Sequence, residues 1–191
     1  MNALISWNTV SVLWLIFCLY WVIGALRVKR TQQMEPAARR FGTVAVLAAA
    51  GILIFARRIN LGVLDRRFIP DKEAIKAASI VLVAIGVAVA IWARRHIGQF
   101  WSSRVALKED HQLIQSGPYA YVRHPIYSGM LLALIGTALF IAEWRALVGV
   151  LLVFVAHWQK ARREEKLLAS QFGTAYEEYC GRTGSLIPRV H

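Results

Sequence analysis

Residues 117–129 read Gly117-Pro118-Tyr119-Ala120-Tyr121-Val122-Arg123-His124-Pro125-Ile126-Tyr127-Ser128-Gly129 and run straight into an apolar stretch, Met130–Ile141. Imidazole, guanidinium, phenol and turn residues therefore gather at the mouth of an apolar segment, where polar groups are costly and are usually kept for function. Gly117-Pro118 predicts a turn, and Pro125 suits the first position of a helix, so His124 falls at or beside the N-cap. The open N–H groups of such a helix start can receive a carboxylate or another acceptor. Tyr119 and Tyr121 offer aromatic faces to a purine or a cationic sulfonium. The same residues also suit a plain helix-start turn with interfacial tyrosines.

A second group lies downstream. His157, Lys160 and Glu164 are spaced i, i+3, i+7 and share one helix face. Glu165 sits about 100° further round. A solvated, salt-bridged juxtamembrane helix would show the same pattern. His111, His124 and His157 have no paired spacing of the HExxH kind, so a metal centre is not expected. Ser128 lies near His124 without a GxSxG turn, which argues against a serine hydrolase. Cys18 and Cys180 stand at opposite ends of the chain, so neither a disulfide nor a zinc site is expected.

The elements that must position these groups read as membrane helices. The chain has 191 residues, 57% of them hydrophobic, and a mean hydropathy of +0.46. Apolar segments are predicted over residues 3–26, 41–56, 74–93, 126–141 and 146–158, the last two forming a hairpin about Glu143-Trp144-Arg145. Trp7, Trp14 and Trp21 recur on one face of the first segment, as expected for interface anchoring and helix packing. Ala84, Gly86, Ala88 and Ala90 would permit close helix approach in the third. Residues 94–125 form the longest polar connection. A helix over 159–180 is predicted, with Leu168, Phe172, Tyr176 and Tyr179 on one face; Gly181 and Pro188 mark its end. The fold class is thus an all-α integral membrane protein of about five transmembrane helices, with a helical hairpin and a cytoplasmic C-terminal amphipathic helix. One membrane domain covers 1–191, with N-terminal transmembrane helices over 1–93 and a cofactor-binding catalytic half over 94–191.

Charge sets the orientation. The net charge is +12, carried by 23 basic against 11 acidic residues. The basic residues fall between apolar segments, with no nucleic-acid-binding signature, and so point to anionic membrane lipids. With five spans, sixteen lysines and arginines lie on one side and six on the other, Lys76 aside. The first side should be cytoplasmic, in an inner membrane of bacterial type. The N-terminus then faces outward, and the active site and C-terminus face the cytoplasm.

The ordered set His111-Gln112-Leu113-Ile114, Gly117-Pro118-Tyr119 and Arg123-His124-Pro125-Ile126-Tyr127-Ser128-Gly129 resembles the isoprenylcysteine carboxyl methyltransferase family. So does its continuation through an apolar hairpin to Glu164-Glu165, Phe172-Gly173, Tyr176, Tyr179, Arg182 and Leu186-Ile187-Pro188. The resemblance covers about residues 93–189. It implies a membrane methyltransferase that uses S-adenosylmethionine in a cytosolic pocket closed by the C-terminal segment. By resemblance, that pocket is lined by His111, Gln112, Leu113, Ile114, Tyr119, His124, Pro125, Ile126, Tyr127 and Glu164.

Well-studied members place a substrate-facing arginine one turn before the glutamate; this chain has Lys160 there, with Arg162 or Arg163 as alternatives. Lys160 and Arg163 are therefore the candidates to orient an anionic acceptor, and Glu165 is the candidate base for an amine acceptor. The implied reaction is methyl transfer to a lipidic or small apolar acceptor, most like isoprenylcysteine carboxyl O-methylation. An NADPH-dependent membrane reductase resembling the sterol reductases is the alternative, and a non-catalytic scaffold the third reading.

Overall fold

The computed structural model describes residues 5–25, 37–56, 59–98, 101 and 113–189. The elements are helices throughout: α1 (Trp7–Ala25), α2 (Ala37–Phe55), α3 (Glu73–Ile97), α4 (Pro125–Ile141), α5 (Trp144–Phe172) and α6 (Thr174–Arg182), with 3-10 turns at Gly62–Asp65 and Gly117–Ala120. Two isolated bridges, Arg67 with Glu143 and Val122 with Gly184, are the only β pairing among the described residues. By length and composition α1 (Trp7–Gly24) and α3 can each cross a membrane; Phe41–Phe55 and Pro125–Ile141 are shorter apolar helices.

Small residues set the helix packing. A Cβ on Gly86 of α3 would run into the Ala133 backbone of α4, and one on Gly129 would lie 2.6 Å from the Ala90 nitrogen. Gly136 meets the Ser79 carbonyl in the same way, at 2.8 Å. The two backbones therefore touch along three turns, a seam that larger residues would force apart. Of the small residues picked out in the sequence, Gly86 and Ala90 lie in the seam, whereas Ala88 is exposed. α2 joins α5 through Gly149, packed against Ile54 and the Ala50 carbonyl.

α1 lies over α3 with its tryptophans turned inward. Trp14 donates its indole N–H to Thr137 Oγ1 at 3.0 Å. Trp7 packs on Phe55 and Phe140, and Trp21 on Phe17 and Trp101. Packing against these partners accounts for the seven-residue repeat. The outward residues of α1 are Val12, Leu15, Ile16, Leu19, Val22 and Ile23. A surface of this kind suits hydrocarbon rather than water.

The α4–α5 hairpin is tighter than the sequence suggests. Ala142 adopts a left-handed conformation (φ 59°) and Glu143 caps a helix that already begins at Trp144. The turn is gripped by the 59–72 loop: Phe68 N–H bonds the Ala142 carbonyl at 2.9 Å, and Trp144 N–H bonds that of Arg66 at 3.2 Å. Arg145 is buried there, with Nε donating to Glu143 at 2.5 Å and Nη1 to the Ala56 carbonyl at 2.9 Å.

The C-terminal half departs from expectation in one respect. No break separates the apolar 146–158 stretch from the charged tail; α5 runs 29 residues through both. The predicted helix over 159–180 instead breaks at Gly173, whose φ of +52° ends α5. Tyr176 and Tyr179 belong to the separate helix α6 and are buried, whereas Leu168 and Phe172 on α5 are only half-buried. The break lets the chain double back toward the start of α4.

Candidate active site

Continuity of α5 beyond its apolar turns brings Lys160 and Glu164 beside the first turn of α4. Pro125 holds the first helical position there and His124 the N-cap. Tyr127, one turn in, donates its hydroxyl to Glu164 at 2.9 Å from each carboxylate oxygen. His124 stacks on Tyr127 with ring centres 5.4 Å apart and planes 9° from parallel. His124 Nδ1 lies 3.5 Å from Glu164, and Nε2 lies 3.2 Å from Glu165. Lys160 Nζ stands 3.9 Å from Glu164 and 5.4 Å from the Tyr127 ring centre. His157 also packs against Tyr127, with ring centres 4.7 Å apart. The i, i+3, i+7 set thus faces the bundle instead of solvent.

Glu165 has a different setting. Its Oε1 accepts from Arg123 Nε at 2.9 Å and from Ser185 Oγ at 2.8 Å, and meets His124 Nε2 at 3.2 Å. Burial alone would raise its pKa, but the bonds from His124, Arg123 and Ser185 outweigh burial and hold it at about 2. Such a carboxylate is a poor proton acceptor at neutral pH, which argues against Glu165 as the base for an amine. The geometry makes it a clasp.

The clasp secures the C-terminal segment. Arg123 N–H bonds the Gly184 carbonyl at 2.9 Å, and His124 N–H bonds that of Ser185 at 3.0 Å. Ser128 Oγ donates to the Leu186 carbonyl at 2.6 Å, and Arg123 Nη1 to that of Thr183 at 2.5 Å. Tyr179 of α6 donates to the Tyr119 carbonyl at 2.6 Å; burial pushes this phenol up to about 12, so it stays a neutral donor. Residues 183–187 therefore form a strap across the start of α4.

The remaining residues named from the sequence divide as follows. Tyr119 and Ile126 are buried with Ala93, and Ile114 and Tyr127 pack against them. Pro125 is buried at the helix start and Leu113 is half-buried nearby in sequence. His111 and Gln112 lie outside the described residues. Arg163 sits to one side of the cluster. About 100° round α5 from Glu164, it reaches the Gln159 carbonyl at 3.2 Å and Thr43 of α2 at 3.5 Å. Arg163 thus flanks the cluster, on the side of α5 that meets α2.

Residues 79–170 match the model of the isoprenylcysteine carboxyl methyltransferase (ICMT) family. Over that stretch the chain resembles the ICMT family. A protein-S-isoprenylcysteine O-methyltransferase of Schizosaccharomyces pombe is 38% identical over 99 residues, which are 49% of this chain and 41% of that protein. The cobalt-zinc-cadmium resistance protein CzcN of Cupriavidus metallidurans is 32% identical over 114 residues, 58% of this chain and 50% of that one. The chain thus spans about half the length of these relatives. The fold is shared with a solved structure of the eukaryotic intramembrane Ras methyltransferase ICMT. That match has a TM-score of 0.55 and 22% identity, over 81% of this chain and 54% of that one.

Arg123 at the Glu165 clasp and Tyr179 at the strap were named from the sequence without a site role, and Ser185 was not named at all. Arg123 was visible as the first residue of the RHPxYxG run. Ser185 carries no local signal, because its role depends on the chain reversal after Gly173.

Proposed function

We propose that this chain transfers a methyl group from S-adenosylmethionine to a lipidic or small apolar acceptor at the membrane, most like isoprenylcysteine carboxyl O-methylation. The observation that carries the reading is the gathering of His124, Tyr127 and Lys160 around the Glu164 carboxylate, within an ICMT-family region. The residues fit the methyl donor. Glu164 is an oriented acceptor for ammonium or hydroxyl groups, and Tyr127 and His124 supply aromatic faces for a cation. Leu113, Ile114, Tyr119, Pro125 and Ile126 extend the same wall, with His111 and Gln112 assigned to it by resemblance. When bound, S-adenosylmethionine supplies an electrophilic methyl group on a sulfonium.

The chain's own contribution is positioning and exclusion of water. Lys160 Nζ can hold an anionic acceptor beside the Tyr127 face. The buried rings around it give a low-dielectric setting, which favours neutralisation of an anion by a cation. An acceptor that arrives as carboxylate or thiolate needs no base. With Glu165 clasped by three donors, this set favours such acceptors over amines.

The proposed setting is a single domain of five spans in an inner membrane of bacterial type, N-terminus outside, with the 94–191 half on the cytoplasmic side. The sixteen-to-six charge asymmetry supports that orientation.

The test is calorimetric titration of purified protein with S-adenosylhomocysteine, followed by an acceptor screen with methyl-labelled S-adenosylmethionine. Binding, and its loss in Glu164→Ala, is expected. Folded protein that ignores S-adenosylhomocysteine but is stabilised by NADPH would overturn the reading in favour of a reductase.

A further inference from the structure

The end of α3 carries a buried cation outside the Glu164 cluster. Arg94 is only 4% exposed. Its Nη2 donates to the Gly24 carbonyl in the last turn of α1 at 2.7 Å, and its Nη1 to the Gly98 carbonyl just past α3 at 2.9 Å. One guanidinium fork thus joins the carbonyl ends of two helices, where open C=O groups and the helix dipoles favour a cation. Gly24 leaves room for it, because a Cβ there would stand 3.2 Å from Nη2.

The same side chain fixes a ring. The Arg94 guanidinium carbon lies over Trp101, 4.1 Å from the ring centre and within cation–π range. The Trp101 N–H meets the Gly98 carbonyl at 3.3 Å, the carbonyl that also accepts from Arg94. Trp101 is therefore tied to Arg94 through its backbone and its side chain. Trp21 of α1 stands at 88° to the Trp101 ring, with centres 5.6 Å apart. Trp101 in turn packs against the buried cluster of Ala93, Tyr119 and Ile126. Tyr119 and Ile126 belong to the wall assigned above to the methyl donor.

We infer that Arg94 is a positioning residue for the methyl donor, acting through Trp101 and not on the donor itself. Burying a guanidinium at this depth is costly. Hydrogen-bond donors alone would close the two helix ends. The cation over Trp101 is what joins that closure to the wall of Tyr119 and Ile126. The inference rests on the donor reading of that wall.

The experiment is a double-mutant cycle on the full chain in detergent, with S-adenosylhomocysteine affinity read by calorimetry below the thermal midpoint of every variant. Arg94→Met and Trp101→Leu should each weaken binding about tenfold. The double variant should lie within about twofold of the weaker single one, because both substitutions remove one support. Arg94→Lys keeps the charge without the planar fork and should fall between wild type and Arg94→Met. If Arg94→Met does not fold, Arg94→Lys with Trp101→Leu completes the same cycle. Arg95→Gln, an exposed neighbour on α3, should bind as wild type does. Lower thermal midpoints with unchanged affinity would overturn the inference and leave Arg94 a tie between α1 and α3. Losses that multiply in the double variant, or an equal loss in Arg95→Gln, would overturn it too. Folded wild type that ignores S-adenosylhomocysteine would instead strike the donor reading, and this inference with it.

Discussion

The Tyr127 hydroxyl is 2.9 Å from both oxygens of Glu164, so a donor from α4 fixes the rotation of a carboxylate on α5. Hydrogen bonds to charged groups contribute about 1.5–3 kcal/mol. Tyr127→Phe keeps the ring that packs on His124 and His157 and removes only this constraint. Its affinity for S-adenosylhomocysteine should fall about tenfold, and that of Glu164→Ala further. Calorimetry decides, and unchanged affinity in Tyr127→Phe would deny Tyr127 the orienting role.

Glu165 predicts an acid-sensitive strap. Its pKa is lowered from 4.5 to about 2 by bonds that exist only in the folded chain. The folded value lies below the unfolded one, so the stabilisation is complete above 4.5 and is lost as pH falls toward 2. Thermal midpoints of wild type and Glu165→Gln should differ by a constant gap from neutrality down to about pH 5. That gap should close at lower pH. A gap independent of pH would show that Glu165 acts by shape alone.

That clasp also marks where the sequence stops being legible. The apolar segments and the proline at the start of α4 are local patterns and return as helices and a helix start, whereas the Glu164 partnership with Tyr127 joins two helices. The face of His157, Lys160 and Glu164 was legible as a face, but not whether it met solvent or the bundle; the Gly129–Ala90 approach, which seats α4 against α3, is a tertiary fact. The tail was misread because a period of 3.6 continues across Gly173 while the backbone does not. The Glu165 clasp was not legible, because its three partners come from two distant segments. Arg163 looked equivalent to Lys160 because three residues separate them, yet Arg163 turns to α2.

Lys160 predicts a split between donor and acceptor binding. It stands 3.9 Å from Glu164, at the edge of a salt bridge, and 5.4 Å from the Tyr127 ring. Lys160→Ala should raise the acceptor KM about tenfold, the effect of one charge-assisted hydrogen bond. S-adenosylhomocysteine affinity should stay within about twofold. Lys160→Arg, with a forked donor, should retain turnover of a carboxylate acceptor. Equal losses for donor and acceptor in Lys160→Ala would place Lys160 in the donor pocket instead.

Two glycine-to-alanine substitutions should act with opposite signs. At Gly86 a Cβ would collide with the Ala133 backbone, and that backbone cannot move without parting α3 from α4. Overpacking of this kind costs about 1–3 kcal/mol. The separation would also shift Gly129 and the start of α4, and with them Tyr127. At Gly42 in α2 none of the described residues lies within 4 Å of the new Cβ. There the substitution removes backbone freedom from the unfolded chain and should stabilise by about 0.5–1 kcal/mol. Thermal unfolding of the two variants in the same detergent checks both signs at once. Gly86→Ala should also lose affinity for S-adenosylhomocysteine, because its Cβ would press on the Gly129 carbonyl, two residues beyond Tyr127. A stable Gly86→Ala protein with normal affinity would mean that α3 and α4 do not touch along this line.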